Sequence, residues 1–229
     1  MTRPKDQIRR HRERARDERD ELDAVLDAGH HVGTLSTVAE GRPWVVPMLY
    51  GRAGNRILMH GSTGAGALRH VAAGAWAALC VTHIDGWVYG HTLFNSSANY
   101  RSAVVHGRLV PLRGDEAATA LTQISECLTP GRSVEVPFHT PRQLAATAAL
   151  AMDITAGHWT VKVRDGGPGE PEDGEYEPGL WTGVLPIHSS YGEPQTAGYV
   201  PAGTPVSASV SDVLRRAGRP VSAAAPAPR

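Results

Sequence analysis

Cysteine is scarce, with two in 229 residues, and Cys80 and Cys127 show no C-x-x-C spacing. That excludes a disulfide framework and a paired-cysteine redox or zinc motif, and it points to a reducing, cytoplasmic compartment. Both cysteines lie in apolar settings and read as core residues. Net charge is absent as well: 23 Lys and Arg balance 23 Asp and Glu. No global field draws nucleic acid or an anionic membrane, so any anion site must be local. There is no run of the ~20 apolar residues that a membrane span requires. The N-terminus is charged and has no apolar h-region.

Other motifs are missing too. Glycines 61, 64 and 66 do not fit G-x-G-x-x-G and no βαβ alternation surrounds them, which argues against a dinucleotide fold. There is no nucleophile-elbow serine, no Walker lysine and no internal repeat. Histidines are present, but His30 and His31 would point to opposite sides of a strand, and His83, His91 and His106 lack zinc-ligand spacing. No structural metal is expected.

What remains is a chain with 41% apolar residues, long enough for one sizeable core. From Arg3 to Arg19 eight basic residues meet four acidic ones, a mixture that reads as a solvated face, with a nucleic-acid arm as the other reading. Leu22, Val25 and Leu26 form a helical stripe that should dock on the body. Strands are expected over His31 to Val38, over Trp44 to Tyr50 with Pro47 marking an edge or bulge, and over Arg56 to His60. Trp76 to Thr82 and Gly86 to His91 read as a hairpin turning at Asp85-Gly86. Tyr100 to Val110 alternates as one long strand, with Ser102, Val104, His106 and Arg108 on one side. Helices are expected over Glu116 to Leu128 and Arg142 to Leu150, and a last strand over Met152 to Val163. Beyond Arg164 the Pro- and Gly-rich chain favours irregular backbone, with Trp181, Val184, Leu185 and Ile187 packing on the body. This reading divides the chain into a basic, partly disordered arm (1–20), a barrel domain (21–164), an irregular extension packed on the barrel or on a dimer partner (165–221) and a disordered tail (222–229). Many short strands with few long helices point to a mainly β fold, an antiparallel barrel with peripheral helices.

The most suggestive stretch is His60-Gly61-Ser62-Thr63-Gly64-Ala65-Gly66, between the apolar run Ile57-Leu58-Met59 and a helical segment containing Arg69. A strand, a glycine-rich turn and a helix aim backbone N–H groups at an anion. Ser62 and Thr63 serve equally well as helix caps, and the two roles can coexist.

Three segments carry a resemblance: Val45-Val46-Pro47-Met48-Leu49-Tyr50, Leu58-Met59-His60-Gly61-Ser62-Thr63 with Leu68-Arg69, and Asn99-Tyr100-Arg101-Ser102-Ala103-Val104-Val105-His106-Gly107. Together with Trp159 to Pro168 and Leu180 to Pro186, they resemble the pyridoxamine 5′-phosphate oxidase-like, FMN-binding split-barrel proteins, in the branch related to nitroimidazole reductases. The resemblance covers about residues 22 to 205. It implies a six-stranded antiparallel split barrel with flanking helices, an irregular C-terminal extension, and a homodimer with FMN at the interface. It also implies an FMN-dependent oxidoreductase acting on a small organic substrate, nitroaromatic or specialised-metabolite in type.

By that resemblance Ser62, Thr63 and Arg69 hold the FMN phosphate, Pro47, Met48 and Tyr50 lie along the flavin edge, and Tyr100, Arg101 and Ser102 stand near the cofactor. His60 becomes a candidate catalytic proton donor, or an iron ligand if the cofactor is haem. Two departures stand out: Gly66 replaces a basic residue common in relatives, and Asn95-Ser96 replaces a pair of histidines after Phe94. They keep alternatives open: a haem-binding or flavin-storing protein without turnover, or a split barrel repurposed for a cofactor-independent biosynthetic step. One fold hosts many chemistries.

Overall fold

Period-two patterning decides the architecture. The computed structural model describes residues 8, 10–62, 70–172, 174 and 177–218, and among them the strands are β1 Ala15–Arg16, β2 Val32–Ala39, β3 Arg42–Ala53, β4 Arg56–Ser62, β5 Trp76–Tyr89, β6 Ser97–Leu112, β7 Thr147–Asp153, β8 Trp159–Arg164 and β9 Gly183–Pro186. The α-helices are α1 Arg19–Asp27, α2 Gly114–Leu128, α3 Pro141–Ala146 and α4 Ala208–Arg216. Six strands close a ring in the order β6-β7-β4-β3-β2-β5 and back to β6, every pairing antiparallel. This is the expected split barrel. The long β6 makes closure possible: one edge follows β5, and the other pairs first with β8 and then with β7.

Inward-facing Leu35, Ile57, Met59, Leu79, Val105 and Met152 fill the barrel, and α1 plugs one side with Leu22, Val25 and Leu26. Each such side chain contributes about 1.5–3 kcal/mol by leaving water. A second cluster lies outside the ring, where Leu121 and Ile124 of α2 meet Leu58, Ala149 and Ala151. Gly51 permits this docking, because a Cβ there would stand 3.0 Å from the Ile124 backbone.

Several expectations are corrected. The Arg142 to Leu150 segment is not one helix: α3 ends at Ala146 and β7 begins at Thr147. β7 is hydrogen-bonded between β4 and β6 and is apolar on both faces, so it shows no alternation to betray a strand. Asp85-Gly86 is not a hairpin but an irregularity within the single strand β5. Gly86 is needed for close approach, since a Cβ would stand 3.0 Å from the Leu185 carbonyl of β9. Met152 to Val163 holds the end of β7 and then β8, not one strand. Cys80 and Cys127 are free and half-buried rather than core. Within the basic arm, Ala15–Arg16 forms β1 and pairs with β8. The expected tail from Ser222 lies outside the described residues. No helix among the described residues is long and apolar enough to cross a membrane.

Candidate functional site

Tyr50 and Met59 form the last pair between β3 and β4. Beyond them, Leu49, Met48 and Pro47 stay with Val32, Gly33 and Thr34 of β2, while His60, Gly61 and Ser62 go with Ala149, Ala148 and Thr147 of β7. The ring therefore splits along a seam between β3 and β4. The Tyr50 N–H donates to the His31 carbonyl of the β2 side at 3.0 Å. By alternation the backbone groups of residues 43, 45, 47 and 49 face the seam. Val45 and Leu49 present an N–H there, whereas Pro43 and Pro47 present only carbonyls.

His60 stands at the head of this seam. It is half-buried, and its Nδ1 is enclosed without a hydrogen-bond partner. Burial first, and then the neighbouring His139, lower its pKa, so the ring is neutral at pH 7. A neutral imidazole can hold or release a proton at either nitrogen, or ligate a metal. Ser62 is exposed at the end of β4. Thr63, Gly66 and Arg69 lie outside the described residues. Where description resumes, the His70 ring contacts the Val38 carbonyl at 2.9 Å, at the far end of β2.

The other predicted residues are dispersed. Pro47 is exposed, Met48 half-buried against the core, and Tyr50 fully buried, its hydroxyl donating to the Leu26 carbonyl at 2.6 Å. The Tyr50 side chain is thus a structural prop, and its N–H faces β2 rather than the seam. Tyr100, Arg101 and Ser102 sit on β6, separated from β3 by β5 and β2. Ser102 donates to the Lys162 carbonyl at 3.4 Å. Arg101 points to the opposite face from its two neighbours and binds Asp85 through two hydrogen bonds. Asn95 and Ser96 close their own loop: Asn95 accepts from the Thr92 hydroxyl, and Ser96 donates to the Thr92 carbonyl at 3.0 Å.

The outer face of the sheet is apolar around the seam. Val45 is 59% exposed, Val32 50% and Leu49 45%. A row of paired residues, Pro47, Thr34, Cys80 and Val104, carries that face across to β6.

Sequence reading missed a second feature. A cavity of about 1100 Å³ lies between the entry to β2, the C-terminal end of α2, and α4. His30, His31, Cys127, Arg132, Tyr191 and Arg216 line it. The helical spacing of Val210, Val213 and Leu214 was the signal available for α4.

The family model described as pyridoxamine 5′-phosphate oxidase matches residues 18–159. A search of curated proteins returns no match. Among solved structures, the FAD and heme binding protein from Mycobacterium smegmatis is similar at TM-score 0.84 and 38% identity, covering 87% of this chain and 96% of that one. The flavocytochrome Anf3 from Azotobacter vinelandii is similar at TM-score 0.81 and 25% identity, with 90% and 94% covered. A protein described as a 5-nitroimidazole antibiotic resistance protein from Bacteroides thetaiotaomicron, at TM-score 0.55 and 17% identity over 65% of this chain and 86% of that one, shares the fold.

Proposed function

Since this chain belongs to the pyridoxamine 5′-phosphate oxidase family, we propose that it is a flavin-dependent oxidoreductase whose flavin lies along the seam between β3 and β4. The observation that carries this reading is His60, a neutral imidazole with an enclosed, unpartnered Nδ1 at the head of an open strand edge. The fit is chemical. The polar rim of an isoalloxazine needs donors and acceptors in a line, and the Val45 and Leu49 N–H groups with the seam carbonyls offer them. Ser62, with Thr63 and Arg69 of the glycine-rich segment, would hold phosphate oxygens. Pro47 and Met48 would border the ring.

When bound, a flavin supplies hydride or electron-pair transfer. His60 would hold the proton that accompanies the transfer and release it to a small organic substrate. FMN and FAD share the half that meets these residues, and the naming of the Mycobacterium smegmatis relative supports FAD as strongly as FMN. The exposed apolar face around Val32, Val45 and Leu49 supports a homodimer, in which Tyr100 and Ser102 of one copy could approach the seam of the other.

Titrating the purified chain with FMN and with FAD, followed by flavin fluorescence and visible absorption, tests the reading. Stoichiometric quenching, weakened by Ser62→Ala, is expected. Folded protein that takes up neither flavin rejects it. A second reading, haem, is favoured by the heme-binding relative, with His60 as iron ligand if no flavin fills the seam. If flavin and haem share one chain, the haem needs a site of its own.

A further inference from the structure

The outer face of the sheet carries a hollow of its own. Val45 of β3, Ser36 of β2, Ala78 of β5 and His106 of β6 are paired in one row across four strands. Outward positions of a sheet favour β-branched and aromatic residues, yet the two middle strands of this row carry serine and alanine. The row therefore sinks at its centre. Val38, Pro43, Val45, Trp76 and His106 stand around the dip and bound about 490 Å³, within the roughly 300–1,000 Å³ of small-molecule sites.

Trp76 is the wall that gives the hollow its chemistry. Its side chain is 51% exposed, but it is held from three directions. The Arg108 guanidinium stands 5.2 Å from the ring centroid, the His158 ring meets it at 5.6 Å, and the Thr37 hydroxyl donates to the Trp76 carbonyl at 2.7 Å. Arg108 is itself anchored on the Gly74 carbonyl. A large aromatic surface is thus left open to water while its ordering is already complete, which lowers the entropic cost of stacking a ligand on it.

We propose that this hollow is the substrate subsite of the oxidoreductase, and that it takes a flat, neutral aromatic molecule of one or two fused rings. The assignment as substrate rests on the flavin reading above. Val45 lines the hollow and also presents its N–H to the seam, so a molecule seated here lies beside a ligand of the seam.

Neutrality follows from the lining. Among the described residues no Lys, Arg, Asp or Glu borders the hollow, and a charge placed against apolar walls would lose its hydration without gaining a partner. The Ser36 and Thr37 hydroxyls already donate to the Ala78 and Trp76 carbonyls. Flatness follows from the floor and the wall. Ser36 and Ala78 leave a shallow bed, and the rigid indole beside it favours a ring over an aliphatic chain of equal size.

Nuclear magnetic resonance of the full-length, ¹⁵N-labelled protein tests this, with coumarin as the flat probe and octahydrocoumarin as its saturated counterpart. The chain has five tryptophans, and the Trp76 indole N–H is identified by its loss in Trp76→Leu. Coumarin should displace that resonance saturably, and octahydrocoumarin should bind about three- to tenfold more weakly. Ala78→Leu raises the floor from the outward face and should abolish the displacement, while the other four indole resonances report an intact fold. In flavin-loaded protein, coumarin should also move the visible flavin band, and Ala78→Leu should remove that effect.

The proposal is overturned if wild-type protein shows no saturable displacement, if the saturated probe binds equally well, if Ala78→Leu binds coumarin undiminished, or if coumarin binds and leaves the flavin band unmoved. A dimer that Ala78→Leu converts to monomer, with no response to coumarin in the wild type, also overturns it and gives the hollow to a second copy of the chain. Folded protein that takes up neither FMN nor FAD overturns the flavin reading instead, and the coumarin titration still decides whether the hollow binds a flat ring.

Discussion

Arg101 grips Asp85 from the neighbouring strand through two hydrogen bonds, 2.9 Å from Nε and 2.8 Å from Nη2. The contact holds the Asp85 carboxyl below its ordinary pKa and pins β6 to β5 where the ladder is irregular. Both side chains remain more than a third exposed, so the pair contributes about 0.2–1 kcal/mol.

Arg101→Ala and Asp85→Ala should therefore lower stability in urea by similar, small amounts, and the double variant by no more than either alone. Flavin affinity should not change. A folded Arg101→Ala protein that had lost flavin binding would show that this guanidinium serves the cofactor instead.

Tyr50→Phe removes the donor to the Leu26 carbonyl at the end of α1. A buried acceptor left unsatisfied costs about 1–3 kcal/mol, which denaturant unfolding will read. Burial pushes the Tyr50 hydroxyl pKa well above its ordinary value, so alkali up to about pH 10 should not reproduce the effect.

Acid should destabilise the protein through His31 and His60. Burial lowers both pKa values in the native state, so the unfolded chain takes up protons first as pH falls through about 6.5. The stability present above that pH declines below it, until the folded-state values are passed. Unfolding midpoints at pH 7.5 and 5.5 should differ in the wild type and differ less in His31→Gln and His60→Gln. Equal slopes in all three proteins would contradict this.

Gly86→Val should detach β9 from β5, because no side chain fits against the Leu185 carbonyl. Faster amide exchange over residues 183–186 and altered fluorescence of Trp181, which packs on Tyr89, are the expected signs. Unchanged exchange would mean that the strand shifts to accept the larger residue.

The elements legible in the sequence were those with one wet face. β2 and β6 alternate, and α1 shows its stripe, because water on one side imposes a period. β7 is dry on both sides and passed for a helix. Asp85-Gly86 carries hairpin chemistry, yet its carboxylate is taken by Arg101 and its missing side chain by β9, two partners remote in sequence. At the candidate site, Pro47 announced an open edge and the resemblance singled out His60. The cavity under α4 was hidden because its walls come from residues near 30, 130 and 210, and nothing local records that they meet.

An open strand edge is also a template for the wrong chain, since any extended segment can add to it. Along the seam, Pro43 and Pro47 deny a donor at every second position facing outward, leaving Val45 and Leu49 apart. A foreign strand laid there cannot zip up continuously. The same imino acids thus keep newly made chains from knitting together into aggregates.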